Sequence, residues 1–190
     1  VKKKVELDKA TRLINHGPIV LVSSSCGDRM DITPVAWHMP VSKDPPTIVL
    51  EIHEKHFIYE CIKKTGDFVI NIPSKAFAED IVRCGSCSGR DVDKFLTHKL
   101  TPEPSATIKS PRFGEALAFM ECVLVEDEHL AKKYNMVLGE VKYAEAEEDA
   151  FRDHWLFERD DMKTVHHLGD RTFCFPAEGF IDLREKTGKD

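Results

Sequence analysis

The sequence predicts a mainly β chain with α additions, folded as a small barrel, and three observations lead there. Short apolar runs rich in Val, Ile and Phe recur along the chain, each bounded by Gly, Pro or Asp. Apolar residues at helical spacing interpose in only one or two places, too few for the alternation of a doubly wound sheet. With 190 residues, 42% of them hydrophobic, the chain fits one domain over 1–190 with a substantial core.

Gly17-Pro18 punctuates the start of a β-branched strand over Ile19–Ser24, and Cys26-Gly27-Asp28 supplies a turn. Thr33–Ser42, which holds Trp37 and Met39, reads as the second strand. The Asp44-Pro45-Pro46 turn then leads to a third over Thr47–Ile52. Phe57, Ile58, Cys61 and Ile62 fall at helical spacing, with Lys63 and Lys64 in the last turn and Gly66 at the C-terminal cap. Asp67–Ile72 is a strand stopped by Pro73. Phe77, Ile81 and Val82 predict a helix over Lys75–Arg83. Gly89–Pro111 is polar and reads as a loop with a helical turn at Lys94-Phe95. Strands return at Ala118–Val125 and Met136–Ala144, and acidic Glu145–Asp149 reads as a solvated loop or helix start. Phe173–Phe175 is the last strand and leads into Gly179–Leu183.

The net charge of −6 argues against a nucleic-acid partner, because phosphate binding needs a positive face. The basic run Lys2-Lys3-Lys4 reads as a solvated tail, and no apolar stretch follows it as a secretory signal requires. No apolar run approaches the length of a membrane span. A cytoplasmic chain is expected, in which Cys26, Cys61, Cys84, Cys87, Cys122 and Cys174 remain reduced and several pack as small hydrophobes.

Nucleotide fingerprints are missing: the chain has neither G-x-G-x-x-G nor the P-loop pattern. Cys84-Gly85-Ser86-Cys87 has the gap that lets two thiolates share one zinc, but it lacks the second ligand pair of a structural site. His98 or Cys122 would have to be recruited; a redox dithiol or chance spacing are the other readings. His53-Glu54-Lys55-His56 is one residue short of H-E-x-x-H, so no zinc protease site follows. A different chemistry is open at the same place. A helix beginning near Lys55-His56, directly after a strand, turns free N–H groups and a positive dipole end outward, which suits a phosphate; an ordinary solvated helix start is the plainer reading. Trp37 and Met39 on a strand beside a double-proline turn suit a wall for a flat aromatic ring, although such residues are as readily core.

Six segments in order carry a family resemblance: Pro18-Ile19-Val20-Leu21-Val22, Thr33-x-x-Ala36-Trp37, Pro45-Pro46-Thr47-Ile48-Val49, Gly66-Asp67-Phe68-Val69-Ile70-Asn71, Asp93-Lys94-Phe95 and Gly139-Glu140-Val141. Together they resemble the flavin reductase-like, FMN-binding split-barrel family, most of all its flavoredoxin-like members, from about Pro18 to Phe173. The resemblance implies an antiparallel Greek-key split barrel that forms a homodimer, with non-covalent FMN near the subunit interface. It implies flavin contacts from Thr33, Ala36, Trp37, Met39 and Ser42, phosphate contacts from Lys55 and His56, and further contacts from Asn71, Lys94 and Phe173. Three positions depart from the pattern: Asp31 stands where Asn is usual, Ile58 where a phosphate-binding Thr is usual, and Tyr134 where a His is usual. Losing a hydroxyl donor to a charged phosphate costs about 1.5–3 kcal/mol.

The function implied is an FMN redox protein that exchanges electrons with a protein partner, the flavin carrying the chemistry. An NAD(P)H-dependent flavin reductase is the near alternative. A barrel without catalysis and with weakened flavin binding is the distant one.

Overall fold

The chain is represented by a computed structural model, which describes residues 3–177. A 3₁₀ turn over Leu7–Leu13 precedes the sheet. β1 (Val20–Cys26) and β2 (Arg29–Val35) form a hairpin whose turn uses Gly27 at φ +68°, a conformation cheap only for glycine. β3 (His38–Lys43) and β4 (Pro46–Glu51) form a second hairpin. α1 (Phe57–Thr65) follows and ends on left-handed Gly66, as its sequence predicts. Then come β5 (Asp67–Ile72), α2 (Ala78–Gly85) behind a 3₁₀ turn at Lys75–Phe77, and α3 (Lys94–His98). The short strands β6 (Pro102–Glu103) and β7 (Arg112–Phe113) pair with each other. β8 (Ala118–Val125), α4 (Glu128–Tyr134) and β9 (Met136–Ala146) complete the barrel. The hairpin β10 (His166–Gly169) and β11 (Thr172–Cys174) closes the described chain.

Seven strands make one antiparallel sheet in the order β2-β1-β5-β8-β9-β4-β3. From β4 the chain crosses through α1 to β5, on the far side of β8 and β9, which gives the Greek-key path. Its two edge strands, β2 and β3, are joined only by Ala36-Trp37. Three Cα steps reach roughly 11 Å at most, so the sheet must curl until its edges nearly meet. That link turns the sheet into a split barrel.

Alternation along the strands sorts side chains between two cores. Val20 and Val22 of β1 face the barrel interior with Leu50, Ile58, Ile62, Phe68, Ile70 and Val137. Leu21 faces outward, into a second core built with Ile32, Ile81, Phe95 and Phe113 under α2 and α3. Gly139 lets β9 approach Phe68 and Cys122, where a Cβ would overlap the Phe68 ring.

Several expectations change. Thr33–Ser42 is not one strand: it breaks at Ala36-Trp37, because β2 pairs with β1 at one edge and β3 with β4 at the other. The Lys75–Arg83 helix divides into the 3₁₀ turn and α2. Glu145 and Ala146 extend β9 instead of opening a loop. α4 arises where no element is expected, capped by the Asp127 side chain, which accepts from Leu130 N at 3.0 Å, and by left-handed Asn135. Gly179–Leu183 lies outside the described residues.

Candidate functional site

Where β2 hands over to β3, a cleft of about 360 Å³ opens. Thr33–Trp37 form one wall; Glu51, Ile52, His53 and His56 form the other. Both walls are tied down. Glu51 N donates to the Trp37 carbonyl at 2.9 Å, and Ile52 N to the Asn135 carbonyl at 2.8 Å, so α4 anchors the second wall through its C-terminal cap. Trp37 is 49% exposed. The amide of Asn15, oriented to donate to the Ala36 carbonyl (3.1 Å) and to accept from the Trp37 indole N–H (2.6 Å), holds this flat side chain in place.

The helix end of the cleft brings together the N-terminus of α1, two imidazoles and the Glu51 carboxylate. His56 is the N-cap of α1 with extended dihedrals and no side-chain cap bond, so the first-turn N–H groups lack that partner. His53 Nδ1 accepts from Lys55 N at 3.1 Å, which places the proton of a neutral ring on Nε2. The ring of Phe57 lies against two guanidinium groups, Arg29 at 4.9 Å and Arg90 at 5.5 Å. Arg90 also donates to the Lys55 carbonyl at 2.8 Å and pairs with Glu60 at 2.9 Å, which fixes the loop before α1. An indole, a methyl and a hydroxyl on one wall, facing two imidazoles and a helix N-terminus on the other, fit a flat ring carrying a phosphate tail, with Glu51 as the one carboxylate among the described lining residues.

Asp31 and Lys94 meet behind this cleft instead of facing it. They are 1% and 2% exposed, with Nζ to Oδ1 at 2.9 Å. Lys94 also donates to the Ile32 carbonyl at 2.8 Å, and Ile32 N donates to Asp31 at 2.9 Å. Burial pushes the Asp31 carboxyl above its ordinary range, and the opposing pull of Lys94 does not fully offset it. The charge that Asp31 adds is therefore balanced inside the protein, and the ammonium of Lys94 does not line the cleft.

Of the residues expected at the site, Thr33, Ala36, Trp37 and His56 come together in the cleft. Lys55 adjoins it through its backbone. Met39 and Ser42 lie on the exposed strand β3. Ile58 is fully buried in the barrel core, so this departure faces away from the cleft. Asn71 is also internal: its Nδ2 donates to the Leu21 carbonyl and Ser23 Oγ, both at 2.9 Å, and its Oδ1 accepts from Phe113 N at 2.8 Å. Phe173 packs beside His167 against the second core. Tyr134 ends α4 and is exposed.

Glu51 and His53 are the lining residues that sequence reasoning missed, and Arg29 and Arg90, against Phe57, are the missed charges next to them. His53 drew notice only as half of a failed metal motif. Among the described residues no group of three or more His, Cys, Asp or Glu is placed to hold a metal. Cys87 Sγ lies 3.6 Å from His98 Nε2, whereas burial pushes the Cys84 and Cys122 thiols up to about 12. All six cysteines are free.

Residues 13–166 match the family described as "flavin reductase like domain". The chain belongs to this family. It is 36% identical over 178 residues to the uncharacterized protein YddH of Escherichia coli (strain K12), covering 89% of this chain and 92% of YddH. The fold superimposes with a TM-score of 0.83 on an FMN-binding domain of a flavin reductase-like enzyme from Shewanella baltica OS155, at 29% identity, covering 94% and 95% of the two chains. Flavoredoxin of Desulfovibrio vulgaris (Miyazaki F) matches with a TM-score of 0.82 at 27% identity, covering 98% of this chain and 100% of its own. Flavin-associated redox chemistry is thus the class of function, on a split barrel whose neighbours bind FMN.

Proposed function

We propose that the chain is a flavoredoxin-like electron carrier that holds FMN non-covalently in the cleft between Thr33–Trp37 and the start of α1. The observation that carries this reading is the convergence of Thr33, Ala36, Trp37 and His56 on one cleft beside an uncapped helix N-terminus. Trp37 and Ala36 pack the ring. Thr33, His53, His56 and the α1 N–H groups hold the phosphate, with Arg29 and Arg90 behind them as fixed positive charge. FMN, when bound, supplies one- or two-electron transfer; the protein supplies position, field and exclusion of water from the Trp37 face.

A homodimer completes the proposal. β3 is an edge strand with Met39 and Val41 exposed at 55% and 46%, and Trp37 just before it at 49%, a surface that a second copy would cover. Among the described residues no helix is long and apolar enough to cross a membrane, and six free thiols accord with a cytoplasmic setting.

Anaerobic mixing of the FMN-loaded protein with NADPH or NADH tests the role. The carrier reading expects slow bleaching of the bound flavin and rapid exchange with a reduced protein partner. Fast bleaching with turnover of added free flavin establishes the alternative, an NAD(P)H-dependent flavin reductase. A protein that takes up no FMN sinks both readings.

A further inference from the structure

We propose that the open mouth of the barrel is a second binding site, separate from the flavin cleft, for a small uncharged aromatic molecule of the phenol or naphthol class. The recess there measures about 620 Å³, within the range of roughly 300–1,000 Å³ typical of small-molecule sites. Inward side chains of β1, β5 and β8 form its floor, and a segment beyond β9 forms an aromatic wall of Phe151, Trp155 and Phe157.

This wall is built before any ligand arrives. Phe151 and Trp155 pack edge to face at 5.5 Å, Leu156 N donates to the Ala150 carbonyl at 2.8 Å, and Ala150 itself is fully buried. A rigid aromatic wall gives offset and edge contacts to a flat ring at little ordering cost. The recess is ringed by strands and by this segment, so a flat protein surface laid over it would leave it empty.

Charge selects the ligand class. Among the described residues no Lys or Arg lines the recess, and Glu145 is its only carboxylate. The other titratable groups are His38, whose Nε2 lies 2.8 Å from the Pro18 carbonyl, and His166, whose Nε2 lies 3.2 Å from the Thr164 hydroxyl. Burial lowers the pKa of both rings, which keeps them neutral. An anion entering here would lose its water and meet Glu145, while the cation beside that carboxylate, Arg112 at 3.5 Å, is already paired with Glu121. A neutral ring with one hydroxyl loses little, and the neutral imidazole of His38, its Nε2–H donated to Pro18, retains an acceptor nitrogen. The two sites diverge at the start of β3: Trp37, just before the strand, lines the cleft, and His38, its first residue, lines the recess.

Calorimetric titration of the full chain with 2-naphthol at neutral pH, with and without saturating FMN, tests the proposal. Saturable binding is expected in both conditions. Ala144→Phe, which fills the recess from an exposed position on β9, should weaken it by about tenfold or more, as should replacing the probe by 2-naphthoate. Trp37→Ala should leave 2-naphthol binding unchanged while weakening FMN. Absence of saturable binding, equal binding by Ala144→Phe, or displacement of 2-naphthol by FMN would each overturn it. So would a parent dimer that binds no probe and dissociates in Ala144→Phe, because a second copy would then occupy the recess. The titration without FMN stands whether or not the cleft binds flavin, so the two readings fail separately.

Discussion

Two buried carboxylates, Asp31 behind the cleft and Glu121 on the opposite flank of the sheet, have opposite fates. Asp31 has one ammonium and one backbone N–H, and burial dominates: its pKa is raised. Glu121 is fully buried too, and burial alone would raise it. It accepts from the Thr107 hydroxyl at 2.5 Å, from Ala106 N and Thr107 N at 2.7 Å each, and from Arg112 Nε at 2.8 Å; together these bonds hold it below the usual carboxylate value. More donors, together with a position nearer the protein surface, keep Glu121 charged at low cost, whereas Asp31 lies deeper with fewer donors. Glu121 pins the loop that leads into β7, whereas Asp31 stiffens the strand that carries Thr33 and leads to Trp37.

Removing one partner of the Asp31 pair gives the largest effect. Lys94→Met leaves a buried carboxylate unpaired and should cost about 3–5 kcal/mol in a denaturant titration. The double variant Asp31→Asn/Lys94→Met should recover most of that loss; if it is no more stable than the single variant, the pair is not the cause. Glu121→Ala should cost about 1–3 kcal/mol, because it strands the donors of Ala106, Thr107 and Arg112. It should also open the Ser105–Ser110 loop to proteolysis, and unchanged cleavage there would mean that Glu121 does not hold the loop.

Acidification separates the two carboxylates by sign. Glu121 has a depressed folded pKa, so its stabilisation is present above the unfolded value near 4.5 and disappears as pH falls through the folded value. Asp31 has a raised folded pKa, so its penalty is absent below the unfolded 3.8, grows as pH rises from there to the folded value and is constant above it. Relative to the parent, the deficit of Glu121→Gln should therefore shrink on acidification and that of Asp31→Asn should widen. Parallel curves would remove the distinction. The smallest effect is expected from Asn15→Ala, which frees the Trp37 indole; about 0.5–1.5 kcal/mol of FMN affinity should be lost without a change in thermal midpoint.

Much of this was legible in the sequence for local reasons. Apolar, partly β-branched runs bounded by Gly and Pro marked β1 and β5, and Lys63, Lys64 and Gly66 marked the end of α1. α4 was hidden because its few apolar residues define no face; Asp127 and Asn135 were its only signals. The break at Ala36-Trp37 had no local signature at all, since it arises only when the chain must change edges of a closed sheet. At the site, Trp37 and His56 were readable from the order of family segments. The partnership of Asp31 with Lys94 was not, because it spans β2 and α3, and a residue that looks like an added charge in sequence is neutralised only in the fold.

The most direct test of the cleft as the flavin site is an FMN titration of the parent and of Trp37→Ala, followed by the visible absorption and fluorescence of the flavin. The account predicts saturable binding of one FMN per chain in the parent. It predicts affinity weakened by about tenfold or more in the variant, whose thermal midpoint should stay unchanged because Trp37 is half exposed. An unperturbed flavin spectrum at every ratio, or equal affinity in the two proteins, would contradict it.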